Sequence, residues 1–276
     1  LRQLKKQSIP TILVSGIFRK NQIFFKSTGQ WMRKSLTAFH HIFVQDSSSM
    51  DLLESINFST ISITGDTRFD RVSKILDQDN TLPFMSEFKN NQYTVVAGST
   101  WNEGEDFLVN YINNSKDEKF IIAPHTINSN SILKLKESLK KETILYSEKE
   151  GKNLSEYTVL IIDTIGLLTK IYSYADTAYV GGGFRTGLHN ILEPATFGIP
   201  IVIGSEYYKF KEAIDLVSLK GCISVQNQST FSSTFRMLKN DLNYRKEMGK
   251  VNKMYIKKNI GATAQIMHYI NNQISS

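Results

Sequence analysis

The chain has 276 residues, 41% of them hydrophobic, which is enough for a sizeable core and excludes global disorder. Its 5 prolines and 16 glycines exclude fibrous and low-complexity classes. A net charge of +7 favours anionic partners (nucleotides, phospholipid surfaces, nucleic acid) or simply solubility. The lysines are scattered, as at Lys134, Lys136, Lys140 and Lys141, with no concentrated basic block of the kind that marks a nucleic-acid groove.

In chain order, Thr11-Ile12-Leu13-Val14 reads as a strand and residues 24–39 as a helix. Ile42-Phe43-Val44 is the next strand. Residues 47–55 form a helix capped by serine or Asp46, and Ile61-Ser62-Ile63-Thr64 is a third strand ended by Gly65. This βαβαβ order predicts a parallel sheet with helices on its faces. Residues 77–91 are polar, contain Pro83, and read as a linker with a helical piece.

A second series follows. Strands are expected at 93–97, 120–123, 143–146, 159–162, 177–180 and 201–203, with helices at 103–113, 131–140 and 167–175. Their apolar runs are continuous, the pattern of strands buried on both faces. The one cysteine, Cys222, sits in a strand-like run and reads as a buried thiol; it cannot form an intramolecular disulfide. No Cys/His cluster has zinc spacing. The tail, 229–274, reads as mostly helical. The fold class is therefore α/β, with two Rossmann-like parallel-sheet domains, the first of them short: 1–76, a linker 77–91, and 92–276. No run approaches the ~18 apolar residues of a membrane span, and no signal peptide is visible. The first residue is Leu1 rather than Met, so a missing natural start is expected.

In open parallel sheets ligands bind beyond the carboxyl ends of strands. Three post-strand loops are unusual. Gly98-Ser99-Thr100-Trp101 offers small residues and hydroxyl donors, or is a plain helix N-cap. Gly181-Gly182-Gly183 permits positive φ and close approach, and a helix starting near His189-Asn190 would face a phosphate; the alternative is a mere turn. It has neither dinucleotide-loop nor Walker spacing. In His189-Asn190-Ile191-Leu192-Glu193-Pro194, Asn190 and Glu193 would share a helix face, where the carboxylate could take a ribose diol or close a capping box. No Ser/His/Asp order or paired-carboxylate motif competes with these loops.

Several of these stretches together resemble the Kdo transferases, which attach 3-deoxy-octulosonic acid to lipid A precursors. They are Gly98-Ser99-Thr100-Trp101, Ala123-Pro124-His125, Ile162-Asp163-Thr164-Ile165-Gly166, Tyr179-Val180-Gly181-Gly182-Gly183-Phe184, His189-Asn190-Ile191-Leu192-Glu193-Pro194-Ala195 and Phe197-Gly198-Ile199-Pro200. Lys209-Phe210-Lys211-Glu212-Ala213 also fits, and Thr64-Gly65-Asp66-Thr67-Arg68-Phe69-Asp70-Arg71 is similar to the segment closing that family's N-terminal domain. The wording looks most like members from the Bacteroidota. The resemblance implies a GT-B fold, CMP-Kdo as donor, a lipid A precursor as acceptor, and inverting transfer without a metal ion or other cofactor. It implies work at the cytoplasmic face of the bacterial inner membrane, while the scattered basic residues argue against a nucleic-acid partner. By position, Gly181, Gly182 and Gly183 would lie against the donor phosphate, Asn190 and Glu193 would hold the nucleotide, and Ser99, Thr100 and His125 would line the same cleft.

The family's catalytic glutamate falls upstream of the point matching Leu1, so no catalytic base is assigned. The chain is expected to lack roughly the first third of the family's length, and to bind CMP without transferring sugar on its own. Thr126, Ile127 and Asn128 replace the acidic or arginine residues usual after His125, and Arg185 stands where relatives often have glycine. The alternatives are another GT-B enzyme using a UDP-sugar, and a non-catalytic nucleotide-binding module. Arg19, Lys20, Lys26, Arg33 and Lys34 flank Ile23, Phe24, Phe25 and Trp31, a pattern open to two readings: a helix resting on anionic headgroups, or a solvated helix with its apolar side in the core.

Overall fold

The computed structural model describes residues 1–273, and Ile274, the last residue of the expected helical tail, lies outside them. The chain divides into two compact units: Leu1–Lys74 together with the chain from Lys257 on, and Ile75–Ile256.

The first unit begins with α1 (Arg2–Lys6), β1 (Ile12–Gly16), α2 (Gln30–Leu36), β2 (His41–Val44), α3 (Ser47–Glu54), β3 (Ile61–Ile63) and α4 (Thr67–Ser73). The strands form a parallel sheet in the order β1-β2-β3. Ile42, Val44, Leu53 and Ile61 make its core with Leu36 and Phe18. Asp46 caps α3 by accepting from Ser49 N at 2.7 Å, as its position before the helix predicts. The helix expected over 24–39 is shorter. Residues 23–29 form two 3-10 turns, and only Gln30–Leu36 is α-helical. Gly29 marks the break: a Cβ there would lie 1.7 Å from the Ile23 carbonyl oxygen, so the chain folds tightly onto itself before the helix starts.

The second unit runs α5 (Pro83–Lys89), β4 (Tyr93–Thr100), α6 (Asn102–Asn114), β5 (Glu118–Pro124), α7 (Ser129–Ser138), β6 (Thr143–Leu145), β7 (Val159–Ile161), α8 (Leu168–Ile171), β8 (Thr177–Val180), α9 (Leu192–Phe197), β9 (Ile201–Gly204), α10 (Lys211–Ser218), β10 (Cys222–Val225), α11 (Gln228–Asn240) and α12 (Leu242–Asn259). Its seven strands are all parallel, in the order β10-β9-β8-β4-β5-β7-β6. Successive side chains of a strand point to opposite faces. Here both faces are covered: Val95, Ala97, Phe120, Ile122, Ile161 and Tyr179 pack on one side, and Val96, Ile121, Leu160 and Ala178 on the other. That double burial is why the runs are continuously apolar. Cys222 is buried in β10 as expected, and burial pushes its thiol pKa up.

Two boundaries differ from the expected domain division. Residues 77–91 are not a free linker. Pro83 opens α5, Met85 and Phe88 are fully buried in the second unit's core, and Lys89 Nζ pairs with Asp176 at 2.8 Å. The final helix, α13 (Ala262–Gln273), clusters with the first unit. Asp70 of α4 accepts from the backbone N of Gly261 (2.6 Å) and of Thr263 (2.8 Å), and Tyr269 packs against Phe43 with ring centroids 5.3 Å apart. These contacts leave no signal in hydrophobic periodicity, because they are made between segments 191 or more residues apart.

Candidate functional site: the switch point of the seven-stranded sheet

From β4 the chain crosses to β5 on one side, and from β8 it crosses to β9 on the other. Neighbouring strands whose connections diverge leave a crevice at their carboxyl ends, the usual ligand position in such sheets. Two of the three loops singled out above, Gly98-Ser99-Thr100-Trp101 and Gly181-Gly182-Gly183, border this switch point directly.

The glycine run is explained first by packing. Gly181 N donates to Gly98 O at 2.9 Å, and a Cβ on Gly181 would lie 2.0 Å from Ser99 O. Gly182 has φ +81°, and a Cβ there would meet Gly187 O at 2.2 Å. Gly183, with φ +77°, packs on the backbone of Gly204 and donates to Thr186 O at 2.9 Å. The backbone N–H groups of Gly181 and Gly183 are thus engaged inside the loop, which leaves that of Gly182 outside these pairings. Opposite them, Ser99 carries a left-handed φ of +52°, and the β4–β5 register shifts between Gly98 and Thr100. A bulge at the end of a site-forming strand re-aims the loop that follows.

Thr100 points inward rather than into the crevice. It is buried, and its hydroxyl donates to Glu105 Oε1 at 2.6 Å. Burial raises the Glu105 pKa, and the Thr100 hydrogen bond works against that rise. The Thr100 carbonyl accepts from His125 N at 3.0 Å, tying the β4 and β5 loops together.

The helix after the glycine loop starts later than expected. It begins at Leu192, is six residues long, and so presents no long dipole from His189-Asn190. Asn190 lies two residues ahead of its first residue: its Oδ1 accepts from Leu192 N at 3.1 Å and its Nδ2 donates to Glu193 Oε1 at 2.9 Å. Glu193 Oε2 accepts from Thr169 Oγ1 at 2.8 Å. The carboxylate is therefore fixed from two elements, α8 and its own loop. Each of its oxygens keeps acceptor capacity, because a carboxylate offers about four lone-pair sites.

Two residues outside the candidate set, Trp101 and His189, join the candidate His125 in one cluster that links the β4 loop, the β5 loop and the segment before α9. Trp101, His125 and His189 stack: ring centroids are 4.8 Å apart for Trp101–His125 and 4.3 Å for His125–His189. Trp101 Nε1 donates to His189 Nε2 at 2.5 Å. Burial and the neighbouring His125 lower the His189 pKa. Trp101 and His189 each sat inside a motif, but nothing in linear order says that residues 88 apart share a hydrogen bond. Among the described residues no group of His, Cys, Asp and Glu could hold a metal ion.

Residues 1–71 match the family described as 3-deoxy-D-manno-octulosonic-acid transferase. A 3-deoxy-D-manno-octulosonic acid transferase of Rickettsia typhi is 26% identical over 229 residues, covering 78% of this chain and 49% of the relative. One from Haemophilus influenzae is 24% identical over 291 residues, covering 97% of this chain and 65% of the relative. The chain thus spans about half to two thirds of the length of these relatives. Among solved structures, the C-terminal CMP-Kdo binding domain of WaaA from Acinetobacter baumannii superposes with TM-score 0.55 at 18% identity, covering 69% of this chain and 97% of that one. WaaG, a glycosyltransferase of lipopolysaccharide biosynthesis, superposes with TM-score 0.51 at 9% identity over 99% of this chain and 80% of its own. The fold is that of the GT-B glycosyltransferases.

Proposed function

We propose that this chain, a homologue of the Kdo transferases, holds the CMP-Kdo donor at the switch point of its second unit, and that Kdo passes from there to a lipid A precursor in lipopolysaccharide biosynthesis. The observation that carries the reading is a tight glycine loop at the crevice, followed along the chain by the doubly held Glu193 carboxylate. A carboxylate fixed before the ligand arrives accepts hydroxyl hydrogens of a ribose without losing side-chain entropy on binding. The glycine backbone lets a phosphate come close to the main chain, with the Gly182 N–H as a donor toward it. When the Kdo–O bond breaks, its electron pair goes to a phosphate oxygen of CMP. Donors already in place there stabilise the charge where it develops. The acceptor hydroxyl gives up its proton to a general base as the new C–O bond forms. The lipid acceptor, inversion at the anomeric carbon and independence from metal are parts of this proposal, drawn from the family resemblance.

The test is calorimetric titration of CMP into the chain, with UMP as competitor and Glu193→Ala as control. A preference for CMP that the substitution weakens supports the reading. Tight UMP binding with indifference to CMP transfers it to a UDP-sugar enzyme of the same fold.

We further propose that the first unit works against the anionic cytoplasmic face of the inner membrane. Trp31 of α2 is 59% exposed, while Phe24 and Phe25 turn inward against Phe18. Exposed Lys20, Lys26 and Lys34 accompany Trp31, whereas Arg33 ties the preceding turn through Phe24 O (2.6 Å) and Lys26 O (3.0 Å). No described helix is long and apolar enough to cross a membrane. Flotation with liposomes checks this: binding that rises with anionic lipid and falls for Trp31→Ala supports it, and equal flotation with neutral lipid opposes it.

A further inference from the structure

The Trp101–His189 hydrogen bond constrains more than position. An indole nitrogen can only donate, so the imidazole nitrogen facing it at 2.5 Å must accept. That nitrogen is Nε2, and in a neutral ring the proton then sits on Nδ1. Among the described residues no hydrogen bond occupies His189 Nδ1. His125, stacked on the ring at 4.3 Å, is the titratable neighbour whose charge His189 feels; the one carboxylate nearby on its own segment, Glu193, is held by Asn190 and Thr169. For Nε2 to take a proton, the Trp101 N–H would have to be abandoned. The His189 backbone is anchored as well, its N donating to Gly181 O at 3.2 Å.

We propose that Trp101 is a positioning residue that locks His189 as the neutral Nδ1–H tautomer, so that the loop after the glycines presents one fixed N–H donor to an anionic oxygen of the nucleotide sugar. Trp101 acts through His189 and need not touch the ligand. The ligand half of this proposal rests on the donor-site reading above; the tautomer half does not.

The experiment is imidazole nitrogen NMR of the ligand-free chain labelled with 15N-histidine, on wild type and Trp101→Phe, followed by titration of both with CMP. The phenyl ring keeps an aromatic partner for His125 while the N–H is lost with part of the indole, which is why the tautomer is read alongside affinity. In wild type, His189 should show an unprotonated Nε2 and a protonated Nδ1 at neutral pH. In Trp101→Phe the Nε2–H form should appear, and CMP affinity should fall about 3- to 10-fold, the worth of one hydrogen bond. A structural role alone would not move the tautomer. A wild-type His189 protonated on Nε2 overturns the proposal without any variant. So does an unchanged tautomer, or an unchanged CMP affinity, in a folded Trp101→Phe. Failure of wild type to bind CMP strikes the donor-site reading and the ligand half with it, while the tautomer, read without ligand, is decided separately.

Discussion

A Cβ on Gly181 would stand 2.0 Å from the carbonyl oxygen of Ser99, which is closer than any side chain can come without moving the backbone. Two loops whose contacting residues, Ser99 and Gly181, lie 82 apart in sequence are therefore pressed together at the crevice where the donor is proposed to bind. The neighbouring Gly181 N to Gly98 O bond holds them there. Gly181→Ala must push these loops apart. We expect it to cost about 1–3 kcal/mol of stability, as overpacking does, and to weaken CMP binding. Urea unfolding followed by calorimetry checks both. A variant as stable as wild type would show that the loops yield more easily than this geometry implies.

Glu193→Gln keeps the size and one carbonyl acceptor of the side chain but replaces the other oxygen by a donor. It must face either the Thr169 hydroxyl or the Asn190 amide, both of which donate to Glu193 as it stands. The Thr169 hydroxyl can turn to accept from the new amide, so we expect a stability loss of less than about 1 kcal/mol. CMP affinity should fall about tenfold if the carboxylate holds the ribose. Thermal unfolding and calorimetry, run on the same preparation, separate the two effects.

Acid should destabilise the second unit through His189. Its folded-state pKa lies below the ordinary value of 6.5, because burial and His125 disfavour the charged form. The unfolded chain then binds the proton first, so stability is fully present above pH 6.5 and is lost as pH falls from there through the folded pKa. Glu105 and Glu118 have raised pKa values and contribute the opposite slope, upward from 4.5. The difference between wild type and His189→Phe isolates the histidine. Wild type should lose more stability than the variant between neutral pH and pH 5, as read by urea unfolding. Parallel curves would count against a buried neutral His189.

Asp70 joins α4 to the start of α13 within the first unit, accepting from Gly261 N, Thr263 N and, at 3.0 Å, Thr263 Oγ1. Two orphan N–H groups at a helix start are thereby satisfied. Asp70→Ala should cost about 1–2 kcal/mol, as loss of a cap does. Hydrogen exchange should show it as faster exchange in α13, with β4 and β8 unaffected.

The alternation of apolar runs with amphipathic helices was enough to assign an α/β parallel-sheet protein, since a strand buried on both faces must be apolar throughout; Val95, Val96 and Ala97 show it. The loops that border the crevice were equally legible, because glycine runs and small hydroxyl residues after strands are local signals. Other features depended on partners distant in the chain. The sequence could not say that Thr100 turns inward to Glu105, that two of the three glycine N–H groups are consumed by the loop, or that α13 returns to the first unit through Asp70. Nor could it pair Trp101 with His189. Periodicity reports which face of an element is buried, whereas a hydrogen bond across 88 residues depends on the order of strands in the sheet. That order, with β8 beside β4, was decided only when the chain folded.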